Sequence, residues 1–148
     1  MLDRAKGWSY LTDLVRDPEK PFLVRHAGLQ TMRFLHDYRL DLVNPTAQPA
    51  AKEELVKAVA AIMSVPDMAD FSIEELRKWQ RWDYCDQVVN LFEQKGFTTP
   101  FVRKAVLRYA LQCDTDRARK FVAEQSVRDR EWVDDTRELL ELETKTKK

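Results

Sequence analysis

The residues best suited to hold a metal ion are histidine and cysteine, and this chain has two of each. His26 and His36 are ten residues apart, so on one predicted helix they lie about three turns from each other and cannot share an ion unaided. Neither Cys85 nor Cys113 belongs to a CxxC pair, and the sequence contains no HExxH motif. The sequence therefore predicts no metal site, and it indicates no other cofactor.

Cysteine thiolates are good nucleophiles, but Cys85 is flanked by Asp83 and Asp86. Acidic neighbours raise the pKa of a thiol, whereas a working thiolate needs a cationic or histidine neighbour. Cys85 and Cys113 also fall on the apolar faces of predicted helices, which is typical of buried thiols. We therefore expect two buried free cysteines that serve packing, and no disulfide framework.

Acidic pairs are the remaining candidates for catalysis. Asp134 is followed by Asp135, and Asp114 lies two positions before Asp116. General acid–base catalysis needs a buried carboxylate with a raised pKa, and these spacings are ordinary for helix caps and solvated faces. The chain has only three glycines, and its sequence contains no glycine-rich phosphate loop. The sequence favours a non-catalytic protein, with an all-α enzyme as an alternative.

Basic residues are concentrated between positions 103 and 130. Eight are found there, namely Arg103, Lys104, Arg108, Arg117, Arg119, Lys120, Arg128 and Arg130. Lys104 and Arg108 are four positions apart, so they are neighbours on a helix surface. Acidic residues lie among these cations, so the arginines could also pair with Asp and Glu on a solvated face. We predict that Arg103, Lys104, Arg108 and Arg117 bind an acidic partner.

The overall charge limits what that partner is. Lys and Arg number 25, Asp and Glu also number 25, and the formal net charge is therefore zero. Dedicated nucleic-acid-binding proteins usually carry a clear basic excess. The charge balance favours a protein partner. Binding of nucleic acid or another polyanion through a basic ridge at residues 103–130 is the alternative.

These candidate residues belong to helices, because nearly every apolar pattern has the helical period of about 3.6 residues. The pattern predicts an all-α fold of seven or eight helices joined by short connections. Residues 100–112 are apolar nearly all round, so we expect that helix to be the most enclosed. In residues 21–38, the predicted inward face comprises Val24, Ala27, Gly28, Met32, Phe34, Leu35 and Tyr38. The predicted outward face comprises Arg25, His26, Gln30, Arg33 and Asp37.

Local capping signals place several helix ends. Ser72 is followed three positions later by Glu75, which is the spacing of a capping box at a helix start. The other predicted caps are Thr99 and either Asp114 or Asp116 at helix starts, with Gly96 closing a helix in the left-handed conformation.

Two helix openings, "PFLVRHAGLQTM" and "PFVRKAVLRYAL", resemble each other, and their Val-Arg pairs begin at Val24 and Val102, 78 residues apart. That separation is close to twice the period of roughly 40 residues of HEAT-type helix pairs. The chain resembles the HEAT-like repeat family, in which a Val-Arg pair and small residues follow a loop with Asp and Pro. The first copy carries this pattern as Asp17, Pro18, Val24, Arg25, Gly28 and Met32, and the second as Pro100, Val102, Arg103, Val106 and Ala110.

The resemblance implies a short α-solenoid of antiparallel helix pairs, in which the two look-alike segments lie side by side in parallel register. It also implies a non-catalytic interaction module, a scaffold or adaptor that offers an extended face to a protein partner. An irregular helical bundle is the alternative architecture. We expect one helical-repeat domain over residues 1–143 and a frayed polar tail at 144–148.

The chain ends and the hydropathy indicate the expected location and assembly of the protein. The first residues lack the apolar run of a signal peptide, and no stretch approaches the ~20 apolar residues of a membrane span. A cytoplasmic protein without a membrane partner is therefore expected. Exposure of apolar residues at the ends would indicate a longer solenoid or a homodimer. The residues concerned are Leu2, Trp8, Leu11, Leu139 and Leu142.

Overall fold

The computed structural model describes residues 4–146, and the chain forms two compact units, Met1–Glu75 and Leu76–Lys148. Within the described range the regular elements are eight α-helices and four short 3-10 turns, without a strand. The all-α class and the helix count are therefore confirmed. The arrangement into stacked antiparallel pairs stays a prediction.

The N-terminal unit contains α1 (Arg4–Arg16), α2 (Phe22–Tyr38), α3 (Gln48–Ala61) and most of α4 (Ala69–Lys78). Helix α2 packs against both α1 and α3. Gly28 allows the close approach of α1, because a Cβ at that position would lie 2.6 Å from Cγ2 of the fully buried Val15. The contact of α1 with α2 therefore requires a residue without a side chain.

The buried face of α2 is rotated by part of a turn from the face that the sequence predicted. Arg25, predicted to face solvent, is only 4% exposed, whereas Phe34 and Tyr38, predicted to face inward, are 52% and 73% exposed. Arg25 is buried at low cost because its guanidinium donates two hydrogen bonds, of 2.6 and 2.5 Å, to the Asp67 carboxylate. Its Nε also donates to the Lys20 carbonyl oxygen at 3.0 Å. A paired and hydrogen-bonded charge can occupy a buried position that pattern alone assigns to an apolar residue.

The predicted capping box is also wrong, because α4 begins at Ala69 and places Ser72 inside the helix. The Ser72 hydroxyl, which is fully buried, donates to the Val59 carbonyl oxygen at 2.6 Å. Glu75 instead accepts a hydrogen bond from the Arg33 guanidinium. Both side chains therefore tie α4 to other helices of the N-terminal unit.

The C-terminal unit contains α5 (Cys85–Asn90), α6 (Pro100–Gln112), α7 (Asp116–Arg128) and α8 (Arg130–Thr146). The 3-10 turns Trp82–Tyr84 and Leu91–Glu93 flank α5. Thr99 caps α6 as predicted, since its hydroxyl accepts from the Val102 amide at 3.3 Å. Thr115, rather than a neighbouring aspartate, caps α7 by accepting from the Ala118 amide at 3.2 Å. Gly96 adopts the predicted left-handed conformation, with φ of +89°, in the loop before α6.

Helix α6 packs against α5, the Leu91–Glu93 turn, α7 and α8. Six of its 13 residues are buried. We predicted that α6 would be the most enclosed helix. This is wrong when the buried fraction of each helix is compared, because α4 buries six of its ten residues. Phe101 accounts for part of the difference, since it lies on the open flank of α6 with 74% of its side chain exposed.

The two look-alike segments use their shared residues differently. Val24 is 42% exposed beside a buried Arg25, whereas Val102 is 1% exposed beside an Arg103 side chain that is 37% exposed. The two leucines of the pattern, Leu29 and Leu107, are both buried.

The chain ends differ from expectation in detail. Helix α8 extends to Thr146, so the start of the predicted tail is helical. Leu139 and Leu142 on α8 are each 51% exposed. Leu2 lies outside the described residues.

The buried ion pair of the N-terminal unit yields a first prediction. Arg25→Met keeps the apolar stem but removes the charge and its hydrogen bonds, so we expect a loss of about 2 kcal/mol in the free energy of unfolding. Arg25 lowers the pKa of Asp67 by hydrogen bonding to it. The pair therefore stabilises the fold above about pH 4, and this contribution is lost as the pH falls through the lowered pKa.

Urea unfolding at pH 7 and at pH 3 measures both effects. The difference between wild type and Arg25→Met should shrink at the lower pH. Arg39→Met, which removes an exposed pair with Asp41, is the control and should leave the unfolding midpoint unchanged. A wild-type midpoint retained by Arg25→Met would show that the Asp67 pair contributes nothing.

The contact of α1 with α2 yields a second prediction. Gly28→Ala places a methyl group against Val15, and overpacking of this kind costs about 1–3 kcal/mol. Gly7→Ala on α1 is the matched control, because a Cβ there meets nothing within 4 Å. Its higher helix propensity should stabilise the protein by up to about 1 kcal/mol. The midpoint of thermal unfolding should therefore fall for Gly28→Ala and rise for Gly7→Ala. A higher midpoint for both variants would contradict the described packing.

Candidate binding site

The side chains of the four predicted binding residues point in different directions from the C-terminal unit. Arg103 and Arg108 are five positions apart on α6, which separates them by about 140° around the helix. Arg103 lies toward the Leu91–Glu93 turn, with its guanidinium carbon 4.9 Å from the centre of the Phe92 ring. Arg108 instead donates to Glu143 Oε2 on α8 at 2.7 Å. The structure therefore does not bring these two arginines onto one surface.

The other two predicted residues are more exposed. Arg117 on α7 donates to the Asn90 side-chain oxygen at 2.7 Å, which ties it to α5. Lys104 is exposed on α6 and has no ion-pair partner among residues 4–146. Of the four, Arg103 is the one that lines a sizeable groove together with aromatic side chains.

Most arginines of the basic stretch are already paired with acids. Arg119 bonds to Asp114 and Asp116, Arg128 contacts Glu93 at 3.1 Å, and Arg130 lies 3.6 Å from Asp134. Such pairs neutralise much of the local charge. Such pairing is expected of a solvated face, on which the arginines form ion pairs with nearby acidic residues.

The groove next to Arg103, called here the Phe92 groove, has a volume of about 430 Å³. It is lined by residues of the Leu91–Glu93 turn, the following loop, α6, α7 and the start of α8. Phe92 is 5% exposed, and its ring centre lies 4.9 Å from that of Phe121 and 6.2 Å from that of Trp132. These rings fix an apolar wall in the groove. Trp132 is held at the start of α8, where its amide donates to the Asp129 carboxylate at 3.0 Å.

Gln125 is the polar residue of the Phe92 groove with the least solvent exposure. It is 6% exposed and lines the groove, yet its carboxamide has no hydrogen-bond partner among residues 4–146. Its amide oxygen and nitrogen are not fully enclosed, so water can reach them. A carboxamide offers both donors and an acceptor, so an occupant of the groove could bond to both.

The charged rim of the groove is built around one carboxylate. Glu93 is 63% exposed and receives Arg128 at 3.1 Å and Arg103 at 3.5 Å. Arg103 Nε is buried and has no acceptor among the described residues. A second carboxylate arriving at this rim would meet two guanidinium groups that share Glu93, although Asp129 also lines the groove and balances the charge.

The Phe92 groove contains Arg103, which the sequence singled out, and Gln125 and Phe92, which it did not. Ala118 and Phe121 face inward from α7, and Val122 beside them is half-buried. Gln125 continues that stripe at helical spacing. The spacing of a polar residue on an apolar stripe was therefore a usable signal.

The candidate catalytic cysteines are buried, as predicted. Cys85 and Cys113 are each 5% exposed, and their Sγ atoms lie 3.3 and 3.5 Å from the Thr115 hydroxyl. Burial raises the pKa of the Cys85 thiol, which suppresses the thiolate at neutral pH.

The histidines are engaged in local packing. His26 stacks on Phe22 and meets the edge of Phe71 at 4.8 Å between ring centres. His36 Nδ1 lies 2.9 Å from the Asp37 carboxylate. Among residues 4–146, no three His, Cys, Asp or Glu side chains are grouped so that they could hold a metal ion.

Comparisons with known proteins add no family. No protein-family model matches the sequence, and no curated protein or solved structure is significantly similar to it. Within the described part of the chain, no helix is both long enough and apolar enough to span a membrane.

The thiol environment yields a third prediction. Because both cysteines are buried and the Cys85 pKa is raised by burial, they should react with Ellman's reagent only on unfolding. We expect negligible release of the coloured product in the folded protein at pH 8 and both thiols in urea. Ser64→Cys introduces an exposed thiol in the 3-10 turn Ile62–Ser64 and is the positive control. Rapid reaction of the wild-type folded protein would contradict the described burial.

Proposed function

We propose that this chain is a non-catalytic helical interaction module, a scaffold or adaptor that binds an extended segment of a protein partner in the Phe92 groove. The observation that supports it is the carboxamide of Gln125, which lines the groove and bonds to no other described residue. Its donors and acceptor are therefore open to a peptide backbone that enters the groove.

The chemistry of the groove suggests the partner's sequence. A backbone N–H and C=O of one peptide residue match the acceptor and donor of the Gln125 carboxamide. The rings of Phe92 and Trp132 favour an apolar side chain, which would supply most of the affinity. The guanidinium groups of Arg103 and Arg128 favour an acidic side chain beside it. We therefore expect a segment in which an apolar residue adjoins Asp or Glu.

The proposed architecture is the HEAT-like solenoid. Within the C-terminal unit, α5 contacts α6 and α7, and α6 contacts α7 and α8. Contacts between consecutive and next-but-one helices are what a stack of helix pairs requires. In such a stack one helix of each pair contributes to a continuous binding face, and the Phe92 groove is one segment of it.

A fourth prediction separates binding from stability at Gln125. A randomised peptide library displayed on phage is selected on the whole protein, and we expect enrichment of an apolar residue beside Asp or Glu. Gln125→Leu should weaken the selected peptide at least tenfold, because the backbone loses its partners. The same substitution should change the free energy of unfolding by less than about 1 kcal/mol, because the carboxamide bonds to no other described residue.

The controls distinguish this proposal from simpler explanations. Gln30→Leu replaces an exposed glutamine of the N-terminal unit and should leave peptide affinity unchanged. Arg103→Gln should weaken acidic peptides more than their Asn or Gln analogues. If the protein selects no peptide, and instead binds a random oligonucleotide with an affinity that falls steeply between about 50 and 200 mM salt, nucleic acid is the partner and the proposal is wrong.

A further inference from the structure

A second cavity of the C-terminal unit lies apart from the Phe92 groove and has different chemistry. This cavity, called here the Arg77 cavity, has a volume of about 480 Å³, which is within the range of small-molecule sites. Its walls come from the end of α4, the turn before α5, the end of α6 and the end of α8. Apart from Trp82, the side chains that line it are polar or charged.

The cavity is centred on a carboxylate held by two arginines. Arg77, whose side chain is 5% exposed, directs Nη2 to Glu143 Oε1 at 3.3 Å and Nη1 to Gln112 Oε1 at 2.8 Å. Arg108 donates to the other oxygen, Glu143 Oε2, at 2.7 Å. Lys78 adds a third cation at the wall. The charged residues of the wall are thus Arg77, Lys78 and Glu143, so the lining itself is cationic and attracts an anion.

Gln80 provides an independent observation. It has a φ of +57°, and it is the non-glycine residue with positive φ in the described chain. Its amide donates to the Arg77 carbonyl oxygen at 3.0 Å, and the Arg81 amide donates to the Leu76 carbonyl oxygen at 2.9 Å. This is the Schellman ending of α4, in which the left-handed position normally belongs to glycine. Glutamine is strained there, and Gln80 lines the cavity.

Trp82 supplies an apolar wall. Its ring meets the edge of the Tyr109 ring with 5.0 Å between centres, and Tyr109 is fully buried. The Tyr109 hydroxyl donates to the Arg81 carbonyl oxygen at 2.5 Å, which fixes the ring. An organic group that enters the cavity can therefore rest against a rigid aromatic surface while its anionic end meets the arginines.

From this arrangement we infer that the Arg77 cavity binds a small organic phosphomonoester. A phosphomonoester carries a charge between −1.5 and −2 at neutral pH and three strong acceptor oxygens. Arg77 and Arg108 can take its oxygens when Glu143 yields, Lys78 balances the remaining charge, and the amides of Gln80 and Gln112 are further donors. Glu143 occupies the same arginines, so it competes with the ligand. The site is separate from the Phe92 groove and does not depend on the proposed peptide binding.

Titration of the whole protein with phenyl phosphate, followed by calorimetry, tests the inference. We expect saturable binding of one equivalent, with phenol itself not binding. Lys78→Gln should weaken binding about fivefold, through the loss of one exposed cation. Glu143→Gln should strengthen it about tenfold, because the competing charge is gone. Lys104→Gln removes a cation elsewhere on the unit and should change nothing.

Gln80→Gly separates the role of this residue in binding from its role in folding. Glycine relieves the left-handed strain, so the thermal midpoint should rise by a few degrees. Phenyl phosphate affinity should fall at the same time. Absence of saturable binding up to about 10 mM phenyl phosphate would overturn the inference. So would binding that Lys78→Gln, Gln80→Gly and Glu143→Gln all leave unchanged.

Discussion

Burial of α6 is the constraint on which the C-terminal unit depends. Val106 and Leu107 are fully buried, and α5, the Leu91–Glu93 turn, α7 and α8 all contact this helix. Its start is fixed by the Thr99 cap. Arg103 and Arg108 are about 140° apart around this helix, so they leave it on separate sides. One guanidinium then lies on the Phe92 ring and the other at Glu143. The two cavities described above follow from that single placement.

Each proposed site contains a glutamine whose side chain bonds to no other described residue. Gln125 lines the Phe92 groove, and Gln80 is a non-glycine residue in a glycine conformation at the wall of the Arg77 cavity. Backbone strain of the kind found at Gln80 tends to occur where a protein meets a ligand. The two sites are chemically distinct: the Phe92 groove combines aromatic rings with balanced charge, and the Arg77 cavity is polar with a cationic excess.

The features that could be predicted from the sequence are those set by interactions between residues near each other in the chain. The all-α class and the helix number follow from the 3.6-residue period, and the Thr99 cap and the conformation of Gly96 follow from short-range backbone geometry. The sequence-based predictions were wrong where a partner distant in the sequence determines the environment of a side chain. Arg25 is buried because Asp67, 42 residues away, receives it. Ser72 lies within α4, and its hydroxyl is satisfied by the Val59 carbonyl oxygen, 13 residues away. Nothing local to these residues identifies their partners, so a pattern of apolar positions assigns them to the wrong face or the wrong role.

In the proposed complex the Gln125 carboxamide binds the backbone of a partner segment, and its side-chain NH₂ signals in ¹⁵N NMR report on that contact directly. On titration with a peptide selected by the protein, these two proton signals should shift and exchange more slowly with water, as expected of a newly formed hydrogen bond. Saturation of binding while the Gln125 signals keep their positions and exchange rates would contradict the claim.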